Sequence, residues 1–238
     1  MNGAQYEIKE INMENLDLRK YNIFKGLLPN EINMLHQDMV FNIYRRGAVV
    51  YKEGVRLNGL FFVGKGILKL YKVGLGAREQ IIRFAKEGDL IAYRSIISEE
   101  LSCTTAEVIS DAVLGYITEE KFTSFFRNNP EFAMSLMKLT CRELNESNKY
   151  LINIAQKTVR ERLAEVLLKL METFELEADK SLKVALTREE IANVVGTATE
   201  SVIRLLSEFK ADKLIDVSGR KIKLLNIPKL VKIGNLYN

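Results

Sequence analysis

The sequence predicts an α+β chain in three regions: an N-terminal antiparallel β-roll, one long helix, and a C-terminal helical domain that closes on a short basic hairpin. Three observations carry this prediction. Nine of the fourteen glycines lie between Gly47 and Gly115, and none lies between Gly115 and Gly196. Beyond residue 130 the apolar residues change from short alternating runs to heptad spacing. Positive charge gathers at the end: from Arg204 onward eight basic residues face three acids, a local excess larger than the +4 of all 238 residues.

Leu27 to Met39 reads as a short helix packed on the roll. Between about residues 40 and 120, the runs Ala48–Tyr51, Leu60–Val63, Ile67–Tyr71 and Gln80–Phe84 are rich in β-formers and punctuated by glycine. Such runs read as strands joined by tight turns, and no proline interrupts them, as paired strands require. Asn129-Pro130-Glu131 is a helix start, with Asn at the N-cap, Pro at the first helical position and an acid in the first turn. From there Met134, Met137, Cys141, Leu144, Asn148, Leu151 and Ala155 recur at alternating intervals of three and four, the seam of a coiled coil. A second stripe, Phe132, Ala133, Leu136, Leu139 and Ile152, is available to cover the β-roll. With one stripe on the roll the seam is free for a partner helix, and Asn148 within it would fix the register. A homodimer is therefore expected, the alternative being a helix that only covers its own roll. The expected division is residues 1–128 for the roll with short N-terminal helices, 129–157 for the dimerisation helix and hinge, and 158–238 for the C-terminal domain.

Composition removes several function classes. At 47% hydrophobic and 28% charged the chain has the balance of a soluble globular protein. No apolar run approaches a membrane span; the richest, Val166-Leu167-Leu168, stops at Lys169. The opening Met1–Glu7 has neither the basic end nor the apolar stretch of a secretory signal. Two cysteines, Cys103 and Cys141, give neither a disulfide framework nor metal-ligand spacing, so a reducing, cytoplasmic compartment is expected, with both thiols as small buried hydrophobes. One histidine, His36, leaves little room for zinc or histidine-based catalysis. No metal site, no cofactor and no enzyme activity are expected.

Leu186–Leu206 has the spacing of a helix-turn-helix. Thr187 with Glu190 forms a capping box, Ile191, Ala192 and Val195 face inward, and Gly196 supplies the left-handed end of the first helix. Thr197 with Glu200 reads as a second capping box. Val202, Leu205 and Leu206 bury one face of the second helix and leave Thr199, Glu200, Ser201, Ile203 and Arg204 outward. Arginine can grip guanine bidentately, a carboxylate can accept from cytosine, and hydroxyls can bond base or phosphate. Arg220-Lys221-Ile222-Lys223, between short apolar runs, reads as the wing of a winged helix-turn-helix. The candidate contacts to double-stranded DNA are Arg188, Thr197, Thr199, Glu200, Ser201, Arg204, Arg220 and Lys221. Taken singly, Glu200 also reads as a cap, Arg204 as a solvated helix charge and the tail as a solvated charge run.

Glycine-punctuated roll, long helix and winged helix-turn-helix, in that order, resemble the CRP/FNR family of bacterial transcription regulators over about residues 22–226. The resemblance rests on Tyr44–Gly54, the Phe84-Ala85-Lys86-Glu87-Gly88-Asp89 corner and the Thr187–Arg204 block. It implies a cyclic-nucleotide-binding-like sensor roll and a homodimer on a two-fold site. It also implies contact with RNA polymerase, base reading by Glu200 and Arg204, and a hinge near residues 154–158. Thr199 departs from the arginine or valine of the best-known members. Members that bind cyclic AMP carry a Gly-Glu pair and an Arg-Ser pair where this chain has Ala92-Tyr93 and Thr104-Thr105. The ribose carboxylate and the phosphate arginine are both missing, so cyclic AMP is not expected to bind tightly and the effector is not readable. Tyr93, Arg94, Thr104 and Thr105 are the candidate effector-pocket residues; Arg94 is read as a compensating cation, or as solvated or paired with Glu99 or Glu100. No cysteine precedes Cys103, which excludes the family's N-terminal iron–sulfur cluster within one chain. Two alternatives stay open: a haem-type gas sensor ligated by His36 or Cys103, and a ligand-sensing module whose C-terminal domain binds a protein partner.

Overall fold

The computed structural model describes residues 16–25 and 27–235; the Met1–Glu7 segment read above for a signal lies outside them. The chain divides into two compact units, one containing the residues up to Lys72 with Ile82–Asn145, the other Val73–Ile81 with Glu146–Asn238.

The first unit is built on an antiparallel sheet. Helix α1 (Pro29–Gln37) precedes β1 (Val40–Tyr44), β2 (Val49–Tyr51), β3 (Gly59–Val73), β4 (Glu79–Lys86) and β5 (Leu90–Ile91). Then come α2 (Tyr93–Ser98), β6 (Thr105–Thr118), α3 (Glu119–Asn128) and the long α4 (Pro130–Gln156). The sheet order is β1-β6-β3-β4, with β2 also on β6 and β5 also on β3. Successive side chains of a strand point to opposite faces, and here each face has its own core. Leu60, Phe62, Leu90 and Val113 join one cluster with Ile32, Leu35, Phe122, Phe132 and Leu136 of the covering helices. Val63, Ile91, Ala112 and Leu114 join the other, inside the roll, with Tyr51, Leu68 and Val108. Phe132 anchors α4 between Phe24, stacked at 6.1 Å, and Phe125, edge-on at 5.1 Å.

Three expectations need correction. The runs Leu60–Val63 and Ile67–Tyr71 are one strand, because Gly64 to Gly66 forms bulges against β6 and not a turn. Gly66 has φ +93°, and a Cβ there would fall 2.5 Å from the Asp111 carbonyl oxygen, so the close approach needs glycine. Ile152 does not share the burial of Phe132 and Leu136; it is 55% exposed and falls in the second unit's part of α4. Cys103 and Cys141 are both exposed, Cys141 because the outward seam of α4 carries it.

In the second unit, α5 (Val159–Phe174) starts from a capping box between Thr158 and Glu161. It packs on α6 (Arg188–Val195), α7 (Thr199–Ala211) and α8 (Ile227–Ile233), while β7 (Ile215–Ser218) pairs with β8 (Lys221–Leu224). Leu163, Leu167, Ile191, Val202, Leu206, Phe209, Ile222 and Leu230 are buried there. Arg162, which no short sequence pattern marks, holds the unit's joints together. Its guanidinium donates to the carbonyls of Lys157 at 2.8 Å, Val195 at 3.0 Å and Gly196 at 3.3 Å, satisfying helix ends that would otherwise lack donors.

Candidate functional site

The helix-turn-helix forms as the first capping box requires. Glu190 N donates to Thr187 Oγ1 at 3.0 Å and Thr187 N donates to Glu190 Oε2 at 2.6 Å. Gly196, at φ +73°, closes α6 by donating to Ala192 O at 2.9 Å. The second capping box does not form. Thr197 N also donates to Ala192 O, so Thr197 belongs to the C-terminal cap of α6, and α7 begins two residues later with Ala198 at the N-cap and no side chain capping it. Glu200 is thereby released from a capping role and is exposed in the first turn.

Val202, Leu205, Leu206 and Phe209 bury the inner face of α7, and Ile203 is 49% exposed on the other side. Thr199 and Ser201 are half-buried, and Glu200 and Arg204 stand one turn apart, both exposed. The Arg204 side chain is 72% exposed, and its NH1 lies 3.4 Å from Glu208 Oε1. Glu208 spends its other oxygen on Arg160 at 2.9 Å, so the hold on Arg204 is a weak surface pair. The wing is the β7–β8 hairpin, turning at Gly219 (φ +57°) and Arg220, with Arg220 and Lys221 exposed. Arg188 is tied to that turn: its NH2 donates to Gly219 O at 2.7 Å, which fixes the wing on the start of α6. The structure thus links Arg188 to the wing and places Thr199, Glu200, Ser201 and Arg204 on α7, with Thr197 in the turn before it.

Seven seam positions of α4 lie outward. Met134, Met137, Leu144 and Leu151 are 52–65% exposed, and Cys141, Asn148 and Ala155 are exposed with them.

Within the roll a cavity with room for about one water is lined by Tyr51, Arg83, Ala92, Tyr93, Arg94, Ser95, Cys103 and Thr104. Ala92 sits at φ +70°, a left-handed conformation that favours glycine. Tyr93 is buried with its hydroxyl 3.4 Å from Thr140 Oγ1, and burial pushes its phenol up to about 12, as it does that of Tyr51. Burial also raises the Asp89 carboxyl, against the opposing pull of the Lys86 N–H and of Arg83. Thr105 does not line the cavity; its Oγ1 accepts from Glu53 N at 3.0 Å. Arg94 pairs with neither Glu99 nor Glu100. Its Nε lies 3.5 Å from Glu143 Oε2 of α4, with the Arg94 side chain 39% exposed. Arg83 and Glu143 belong to this cluster and went unmarked in the sequence, being far apart in the chain. His36 lies in the last turn of α1 with its ring 5.7 Å from Phe41, and among the described residues no group of three His, Cys, Asp or Glu could hold a metal ion. No helix among the described residues is long and apolar enough to cross a membrane.

Comparison with known proteins finds two matching families along the chain. Residues 41–129 match the cyclic nucleotide-binding domain and residues 161–233 the Crp-like helix-turn-helix domain. The transcriptional activator protein FnrA of Stutzerimonas stutzeri is 25% identical over 207 residues, 84% of this chain and 84% of that protein. A CRP-like cAMP-activated global transcriptional regulator of Mycobacterium tuberculosis is 25% identical over 217 residues, 90% of this chain and 97% of that one. In fold, the chain is similar to FixK2 from Bradyrhizobium japonicum, with a TM-score of 0.73 and 24% identity over 82% of this chain and 96% of that one.

Proposed function

Because the chain belongs to the CRP/FNR family of transcription regulators and carries its helix-turn-helix DNA-binding domain, we propose that it acts as a homodimer on a two-fold symmetric DNA site, without cyclic AMP as its effector. The observation that carries the reading is the outward face of α7: Glu200 uncommitted to a cap and Arg204 held only by a weak surface pair. These two side chains read bases in the major groove, while Arg220 and Lys221 of the wing contact phosphates. Arg188 positions the wing through Gly219, and Thr197, Thr199 and Ser201 contribute hydroxyls near the start of α7. The seven exposed seam positions of α4 support pairing with a second copy, since from Met134 to Ala155 this heptad stripe runs about 30 Å without cover. Two recognition helices then enter the groove about one helical turn of DNA apart.

Domain limits of 1–128, 129–157 and 158–238 fit this division of labour, with RNA polymerase as the further partner of the bound dimer. In the roll, the cavity has room for about one water, and Thr104 and Thr105 stand where a phosphate-binding arginine and its serine would be needed. That supports a regulator whose apo form binds DNA.

Selection from a random duplex pool with the purified chain and no nucleotide is expected to enrich a two-fold symmetric site. Enrichment of no site, with or without added cyclic AMP, would overturn the reading. Arg204→Ala should then weaken binding to that site by about 1–3 kcal/mol and relax one base preference. An equal loss on random DNA would reduce Arg204 to a phosphate contact.

A further inference from the structure

The outward face of α7 carries one large aliphatic side chain among its polar groups. Among the described residues from 158 onward, the exposed large hydrophobic side chains are Ile203 and Leu225, and of these Ile203 is the one on α7. It is 49% exposed, beside Arg204, one turn after Thr199 and Glu200 and one turn before Ser207. As the fifth of the thirteen residues of α7, it stands in the half of the helix that also presents Glu200 and Arg204. The inner face does not need it, because Val202, Leu205, Leu206 and Phe209 are the buried residues of that side.

A single apolar residue on a surface is ordinary, yet isoleucine is an unfavourable choice at this position for folding alone. A β-branched residue favours a helix less than alanine or leucine does, and half of this one stays in water. The branch at Cβ also restricts χ1 to one main rotamer in a helix, so its methyl groups point in a fixed direction and lose little further freedom on contact. The hydroxyl one turn on leaves the strip apolar: Ser207 Oγ donates to Ile203 O at 3.0 Å and is committed to the helix backbone. Ile203 thus offers a rigid surface with no hydrogen-bonding group in its side chain.

In the major groove such a surface discriminates between bases. Guanine, adenine and cytosine show hydrogen-bonding edges there, and an aliphatic group laid on such an edge removes water and returns no bond. Thymine shows a C5-methyl group beside its O4 acceptor, and that methyl gains from apolar contact. We propose that Ile203 reads the C5-methyl group of one thymine in each half-site, next to the bases that Glu200 and Arg204 read through hydrogen bonds. The inference rests on the regulator reading of α7 and deepens it: the helix selects its site by two polar contacts and one apolar contact.

Uracil tests the contact, since it pairs as thymine does and lacks only the C5-methyl group. In the two-fold site enriched from the random pool, each thymine is replaced in turn by uracil, in both half-sites together. Binding of the unaltered full chain and of Ile203→Ala is then titrated at one salt concentration. At one symmetric pair of positions uracil should weaken the unaltered chain by about fourfold per half-site, or about fifteenfold for the pair, the worth of one buried methyl group each. Ile203→Ala should lose at least that factor on the thymine site and be indifferent to uracil at the same pair, so that the two changes do not add. Ile203→Val, which keeps the branch and drops one methyl, should fall between. The thermal midpoint of Ile203→Ala should not fall, which separates a lost contact from a lost fold. An enriched half-site without thymine, or a uracil effect that is the same in the unaltered chain and in Ile203→Ala at every position, overturns the assignment and leaves the regulator reading standing. A pool that enriches no site overturns both.

Discussion

A chain carrying both Leu144→Asp and Leu151→Asp is expected to sediment at the mass of one chain at concentrations where the unaltered chain sediments at twice that mass. Both leucines are exposed in the single chain, at 61% and 65%, so the substitutions remove little of its own packing. In a dimer paired along the seam they place four carboxylates in an apolar interface with no cation on the seam to meet them. Each buried unpaired charge costs several kcal/mol, so the dimer dissociation constant should rise by at least about a thousandfold. Affinity for a two-fold DNA site should fall with it, because each recognition helix then binds a half-site alone. The melting temperature of the single chain should barely move, which separates loss of pairing from loss of folding. An unchanged dimer mass would remove α4 as the pairing element.

Phe209→Ala is expected to destabilise the second unit by about 3–5 kcal/mol, the usual cost of truncating a fully buried phenyl ring. Phe209 is 0% exposed on the inner face of α7, and the Arg160 guanidinium lies 4.8 Å from its ring centre. Removing the ring leaves a cavity under α7 and deprives Arg160 of its platform. Because the chain divides into two compact units, the loss should be local. Amide exchange should accelerate across α5, α6, α7 and the β7–β8 wing, while β1, β3 and β6 keep their protection. Uniform acceleration in both units would contradict that locality. The ion pairs of Arg160 with Glu208 and Asp212 are half exposed, and their removal alone should change stability by less than 1 kcal/mol.

Patterns confined to a few neighbouring residues were legible in the sequence. The Thr187–Glu190 box, the glycine end of α6 and the inward apolar set of α6 and α7 are all local devices, and each forms as read. The α4 heptad was legible too, since its period is a property of one helix. Reading failed where two local devices compete for the same residues. Thr197-x-x-Glu200 has the letters of a capping box, but the cap that ends α6 takes Thr197 N, and α7 has to start later. Gly64-Lys65-Gly66 has the letters of a turn, but β6 continues alongside and draws the same backbone into a bulged strand. Hydrophobicity alone assigns Cys103 and Cys141 to the interior, yet both thiols are exposed, because a residue's polarity does not say which face of its element is covered.

Local spacing is enough for the class of the protein: a glycine-punctuated antiparallel roll, a seamed helix and a capped helix pair before a basic hairpin. Each of these is written in spacings of two, three or four residues, the periods of strand and helix. Packing between elements, and no local pattern, brings together the charged cluster beside the roll cavity. Arg83, Arg94 and Glu143 meet across sixty positions of chain, on a strand, a short helix and the long helix. Such a cluster has no period, because its geometry is set by how β4, α2 and α4 pack and not by any one of them. The same holds for Arg162, whose three carbonyl partners come from the ends of two other helices and the residues just past them.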